Sequence, residues 1–144
     1  MEPCQKKINY IESVQRHFTR CVVGMRGMCY EDRLKALSLP SLEYRRLRGD
    51  MIETYKITHA HYDPITTYSL ITLIPNSNTR SHRYKISKPR VNTNLFLQFF
   101  TNRIINKWNG LPAEVVEAKS LNCFKNKIDF YYKDFKYVVG FNVD

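Results

Sequence analysis

Apolar positions in the first part of the chain recur at intervals of three and four. Ile8, Ile11, Val14 (or Gln15), Phe18 and Val22 trace one line, which predicts an amphipathic helix with that line turned inward. Glu12 and Arg16 stand four apart in the acid-first order that supports a helix. Gly24 and Gly27 supply its stop. Tyr30, Leu34 and Leu37 outline a short second helix, which must end before Pro40 because proline disfavours helical geometry in its predecessor. Ser41 then caps a third helix running to Thr58. Its inner face is Tyr44, Leu47, Met51, Tyr55 and Thr58, with Arg45, Arg46, Arg48 and Lys56 outside, partly offset by Glu43, Asp50 and Glu53.

The period is lost after His59. Pro64, Pro75 and Pro89, the β-branched Ile65-Thr66-Thr67 and the turn-rich Pro75-Asn76-Ser77-Asn78 read as extended chain with one short hairpin, in which Tyr84-Lys85-Ile86 supplies a strand. Helix resumes near Asn94, where Phe96, Phe100 and Ile104 form a stripe that reaches Trp108. That spacing assigns Phe96, Phe100 and Trp108 to the core, with Leu111 and Pro112 under the next turn. Gly110 stands where a left-handed cap is expected, and Pro112 opens a turn of helix over Ala113–Ala118. Ser120 caps a last helix with the stripe Leu121, Phe124, Ile128, Tyr131 and Phe135. The expected fold is mostly α: a compact bundle of about five helices with an irregular or short β-hairpin connector in the middle. It is read as a single domain over 1–144, with helical parts at 4–60 and 93–136 and a basic extended connector at 61–92.

Composition narrows the class. Hydrophobic residues make up 43% and aromatics 13% of the 144 residues, enough apolar surface to exclude a disordered tail. With 5 Gly, 6 Pro and no short period, collagen-like and low-complexity classes fall away. No run approaches the roughly 18 uncharged apolar residues of a membrane span. The N-terminus runs into a charged amphipathic segment that does not resemble a signal peptide. The expectation is an intracellular protein, in nucleus or cytoplasm, without a membrane partner.

Charge changes the picture more. The formal net charge is +10, and its distribution is uneven. Residues 61–110 hold 7 basic side chains and a single acid, Asp63, whereas residues 111–144 hold 5 of each. Such a one-signed stretch attracts polyanions, and phosphate backbones are the commonest in a cell. Arg80, Arg83, Tyr84, Lys85, Lys88, Arg90, Arg103 and Lys107 are therefore the candidate nucleic-acid-binding residues. The cations would meet phosphates, and Tyr84, beside Lys85 on the connector, is the ring placed to stack on an unpaired base.

Candidate chemistry of other kinds is thin. Phosphate-binding glycine loops, His-Glu-x-x-His and Gly-x-Ser-x-Gly do not occur. Glu31 and Asp32 are adjacent, so on a helix they diverge by about 100° and serve the helix dipole. A two-metal centre needs converging carboxylates, and the basic stretch offers only Asp63. The four cysteines form no CxxC pair, and His17, Cys21, Cys29, His59 and His61 fit no common zinc spacing. Thiols are read as structural, and His59 and His61 as caps or surface residues. No metal, cofactor or small-molecule substrate is expected, and no enzyme activity of this chain alone.

Several blocks resemble, in order, the region downstream of the reverse transcriptase in non-LTR retrotransposons of the jockey and chicken-repeat type. They are Ile11–Arg20, Leu39–Asp50 with Tyr55-Lys56, Thr79–His82, Phe99-Phe100, Arg103–Pro112 and Ser120–Lys125, so the resemblance spans about residues 8–130. His17 and Ser81 stand where the family usually has arginine and glycine. The resemblance implies a C-terminal piece of an RNA-directed DNA polymerase whose endonuclease and polymerase motifs lie upstream. No Tyr/Phe-x-Asp-Asp motif occurs here. It further implies a thumb-like or post-thumb accessory fragment that contacts the RNA or DNA backbone of template and primer, with the upstream polymerase domain as a further partner. The alternative is a non-catalytic helical protein-interaction module or an inert remnant of a retroelement.

Overall fold

The computed structural model describes residues 3–63, 65, 71–75, 82–90 and 99–140. Among them the regular structure is α1 (Pro3–Cys21), α2 (Tyr30–Ala36), α3 (Leu42–Thr58), α4 (Phe100–Asn109), α5 (Ala113–Val116), α6 (Leu121–Tyr131) and a 3-10 turn at Lys133–Phe135. The fold is mostly α. Between α3 and α4, one isolated antiparallel bridge joins Leu73 to Ile86. No helix of the described residues is long and apolar enough to cross a membrane. Phe96 and the start expected near Asn94 lie outside the described residues.

Capping residues set the helix starts. A helix leaves its first N–H groups without partners. Ser41 Oγ accepts from the Tyr44 N–H at 3.2 Å, and Ser120 Oγ from the Cys123 N–H at 3.2 Å. Gly24, at φ 83°, lies in the left-handed region just beyond α1. Gly110 departs from expectation: its φ of −82° is right-handed. Its N–H simply closes the last turn on the Asn106 carbonyl at 3.0 Å, so no left-handed cap ends α4.

Contacts gather the described residues into two compact units. One holds the chain up to Leu47 and from Tyr132 onward, the other Arg48–Tyr131. The boundaries fall within α3 and after α6, not at the ends of the 61–92 connector.

In the first unit α1 packs on α2, and its buried line is polar. Glu12 and Thr19 are 0% and 3% exposed, while Ile11, Val14 and Phe18 are 57%, 50% and 67% exposed. The expected inward face of α1 is thus corrected by about a quarter turn. The reason is a polar network. The Glu12 carboxylate accepts from the Leu42 N–H at 3.0 Å, capping α3, and from the Tyr30 hydroxyl at 2.6 Å. Thr19 Oγ1 accepts from Arg33 Nε at 3.2 Å, and the buried guanidinium also donates to the Met28 carbonyl at 2.6 Å. Hydrogen bonds to charged groups contribute about 1.5–3 kcal/mol each, enough to set which side of α1 faces in. Burial, and then the bond to Glu12, pushes the Tyr30 phenol well above its ordinary range. The segment after α6 closes this unit. Ser41 N–H donates to the Lys136 carbonyl at 3.0 Å, and Gly140 N–H to Glu43 Oε2 at 2.7 Å.

In the second unit the core is Met51, Tyr55, Ile104, Ile105, Trp108, Leu111, Val115, Val116, Phe124 and Ile128, all buried. Along α3 each of Met51, Tyr55 and Thr58 in this unit, and Tyr44 and Leu47 in the first, is buried, as the period predicts. On α6 the stripe leaves its expected line at the end: Tyr132, four residues after Ile128, is buried where Tyr131 was expected, and Tyr131 is exposed. Two ion pairs join the helices of this unit. Arg103 grips Asp50 through both Nε and Nη2, at 2.8 and 2.7 Å, and Arg48 Nη2 meets Asp129 at 2.9 Å.

Candidate nucleic-acid interface

The basic connector is fastened to the C-terminal end of α4. Asn109 bonds both backbone groups of Ile86: its Oδ1 accepts from the N–H, and its Nδ2 donates to the carbonyl, each at 2.9 Å. Trp108 Nε1 donates to the Tyr84 carbonyl at 2.8 Å. His82 Nε2 and the Trp108 carbonyl lie 3.1 Å apart. On its other side the segment pairs with 72–74, Ile74 N–H donating to the Lys85 carbonyl and Ser87 N–H to the Thr72 carbonyl, each at 2.8 Å. An extended chain alternates its side chains, so these anchors decide which ones leave the protein. His82 and Ile86 are buried, Tyr84 is half-buried, and Arg83 is exposed.

A run of rings lies behind the connector. Phe124 stacks on Tyr55 with centroids 4.4 Å apart, Tyr55 on His59 at 3.9 Å, and His59 lies 4.1 Å from Tyr84. The Arg83 guanidinium carbon sits 5.0 Å from the Tyr84 centroid, a cation–π contact. Burial pushes the imidazoles of His59 and His82 below the ordinary histidine value, which suits neutral rings packed among aromatics. His82 Nδ1 is buried with no hydrogen-bond partner among the described residues.

Seven of the eight sequence candidates are described, five on the connector and two on α4. Arg83, Lys88 and Arg90 are exposed on the connector, and Lys85 is half-buried there. Lys88 Nζ donates to Asn106 Oδ1 at 3.2 Å, and Arg83 Nε lies 3.9 Å from Glu117 Oε1. Tyr84 has His59 and Arg83 over its ring, so a base stacking there must displace one of them. Arg103 and Lys107 lie on α4 a helical turn apart from each other. Arg103 is spoken for by Asp50, and Lys107 is half-buried. Arg80 lies outside the described residues.

The residues that build this surface but escape a sequence reading are Asn106, Asn109, His82 and Glu117. Each acts on a group at least ten residues away, which leaves no local pattern. The arrangement presents an anchored extended segment with cations and no carboxylate of its own, Glu117 lying beside Arg83. Among the described residues no cluster of three or more histidine, cysteine or acidic side chains could hold a metal ion. Compared with known proteins, the chain matches no family model, no curated protein and no solved structure.

Proposed function

We propose that this chain is a nucleic-acid-binding accessory fragment, thumb-like or post-thumb, of a non-LTR retrotransposon reverse transcriptase. It contacts template or primer backbone and has no catalytic centre of its own. The observation that carries the reading is the anchored connector: Arg83, Lys88 and Arg90 leave one extended segment whose backbone is held at Tyr84 and Ile86 by Trp108 and Asn109. A fixed row of cations reads phosphates and not bases. The carboxylate beside it, Glu117, faces Arg83, and Asp50 and Asp129 of the same unit are engaged with Arg103 and Arg48, which supports binding over metal-assisted chemistry. The order of the resembling blocks supplies the retroelement origin, and the upstream polymerase is then its natural partner.

Fluorescence anisotropy across a salt series tests this. Neutralising Arg83 and Lys85 together to glutamine should weaken binding to unrelated sequences alike. The slope of log affinity against log salt should fall by about 0.7 per lost contact on single strands, or about 0.9 on B-DNA. Glu117→Gln should strengthen binding at low salt by relieving Arg83 of its neighbour. Glu31→Gln, exposed in the first unit, is the control. A wild-type chain with no salt-dependent affinity for RNA or DNA leaves the inert-remnant reading in its place.

A further inference from the structure

The outward side of α1 is an apolar stripe that nothing in the first unit covers. Tyr10, Ile11, Val14, Phe18 and Val22 are 76%, 57%, 50%, 67% and 40% exposed. Contiguous exposed apolar surface on a folded chain marks an interaction site. At 100° per residue the four within α1, Tyr10, Ile11, Val14 and Phe18, share an arc of about 100°, the width of a helix-packing face, and Val22 follows just past its end. The two borders of the arc differ. One is Glu12 and Thr19, built into the unit. The other carries Ser13, His17 and Arg20, all exposed. Arg16, next round the helix, and Arg26 beyond it are exposed as well. The acid of this stretch, Glu12, is consumed by Tyr30 and Leu42. The surface is therefore apolar with Arg20 and, further round, Arg16 along one side, and with no carboxylate of α1's described residues left to face a partner.

We propose that this face docks an amphipathic helix of an acidic protein partner. The partner's apolar seam would lie on Ile11, Val14 and Phe18, and its aspartate or glutamate row beside His17 and Arg20. Paired stripes with charges along the edge are how helices choose partners. An anionic bilayer is favoured less, because a helix lying in a membrane surface directs cations to headgroups along both edges, and here one edge is closed by the fold. A second copy is favoured less too, since its α1 would bring the same arginines. This inference concerns the first unit and stands apart from the nucleic-acid reading, which concerns the second.

The probes are two designed helical peptides with leucine at a and d, one with glutamate and the other with lysine at the flanking positions. The intact chain should bind the glutamate peptide at least tenfold more tightly than the lysine peptide, with affinity falling as salt rises. Val14→Ser with Phe18→Ser, both exposed sites, should reduce that binding at least tenfold with an unchanged circular dichroism spectrum. His17→Glu with Arg20→Glu should reverse the peptide preference. Equal binding of both peptides, or of neither, overturns the proposal. So does a chain that dimerises through α1 in sedimentation, or one that binds phosphatidylserine vesicles while ignoring the glutamate peptide.

Discussion

Asn109 does for Ile86 what a neighbouring strand would do, giving one donor and one acceptor to a single residue. Replacing it with alanine strands both backbone groups, at about 1–3 kcal/mol for each left unsatisfied. Urea unfolding of Asn109→Ala should show that loss, and amide exchange at Ile86 should speed up. Asn109→Asp, which keeps the acceptor alone, should fall between. Trp108 is fully buried, so Trp108→Ala should cost about 3–5 kcal/mol. An unchanged melting temperature would place the ring elsewhere. His82 sets a pH limit. Burial lowers its folded pKa below the ordinary 6.5, so the unfolded chain takes up the proton first. The contribution of His82 to stability is whole above about pH 6.5 and is lost as pH falls toward the folded value. His59, shifted the same way, adds to the effect. His82→Gln keeps a neutral donor near Nε2. It should be less stable at pH 7 yet lose less on going to pH 5.5, as thermal melts at the two values will show.

The elements differ in how openly the sequence displays them. In α3 the five residues at helical spacing, Tyr44, Leu47, Met51, Tyr55 and Thr58, are all buried, with Thr54 and Ile57 beside them, and Ser41 announces its start. Apolar burial decided that helix, and apolar burial is what periodicity detects. In α1 the helix was legible and its orientation was not. A reading that sends apolar residues inward has no means to foresee that Glu12 is needed at the N-terminus of α3, thirty residues on. The connector was legible as extended and basic, and the Leu73–Ile86 bridge lies where a short hairpin was expected. Its anchoring was not, because Trp108 and Asn109 bond backbone, which any residue possesses. Arg103 was legible as a cation but not as one already paired with Asp50. Glu12→Gln tests the network. It should destabilise the chain by about 1–3 kcal/mol, and the Tyr30 phenol, titrated by its ultraviolet absorbance, should ionise at lower pH once the facing charge is gone.

For the whole molecule, far-UV circular dichroism should show helical minima; a spectrum dominated by β signal would contradict the element assignment. An exposed apolar stripe sits on α1, whereas Phe135 is half-buried, so Val14→Ser with Phe18→Ser should also raise solubility at low salt. The composition of the two units has a consequence in time. Arg48–Tyr131 is one unbroken stretch, whereas the first unit takes residues from both sides of it. A nascent chain emerging N-terminus first thus carries α1 and α2 for several seconds, at about 5–20 residues per second, before Lys136 and Gly140 arrive to accept from Ser41 and donate to Glu43. Of the two units, the one whose helices emerge first is completed last. Limited proteolysis of ribosome-stalled chains should find the Arg48–Tyr131 stretch protected while α1 and α2 are still cut, until Lys136 and Gly140 are free of the tunnel.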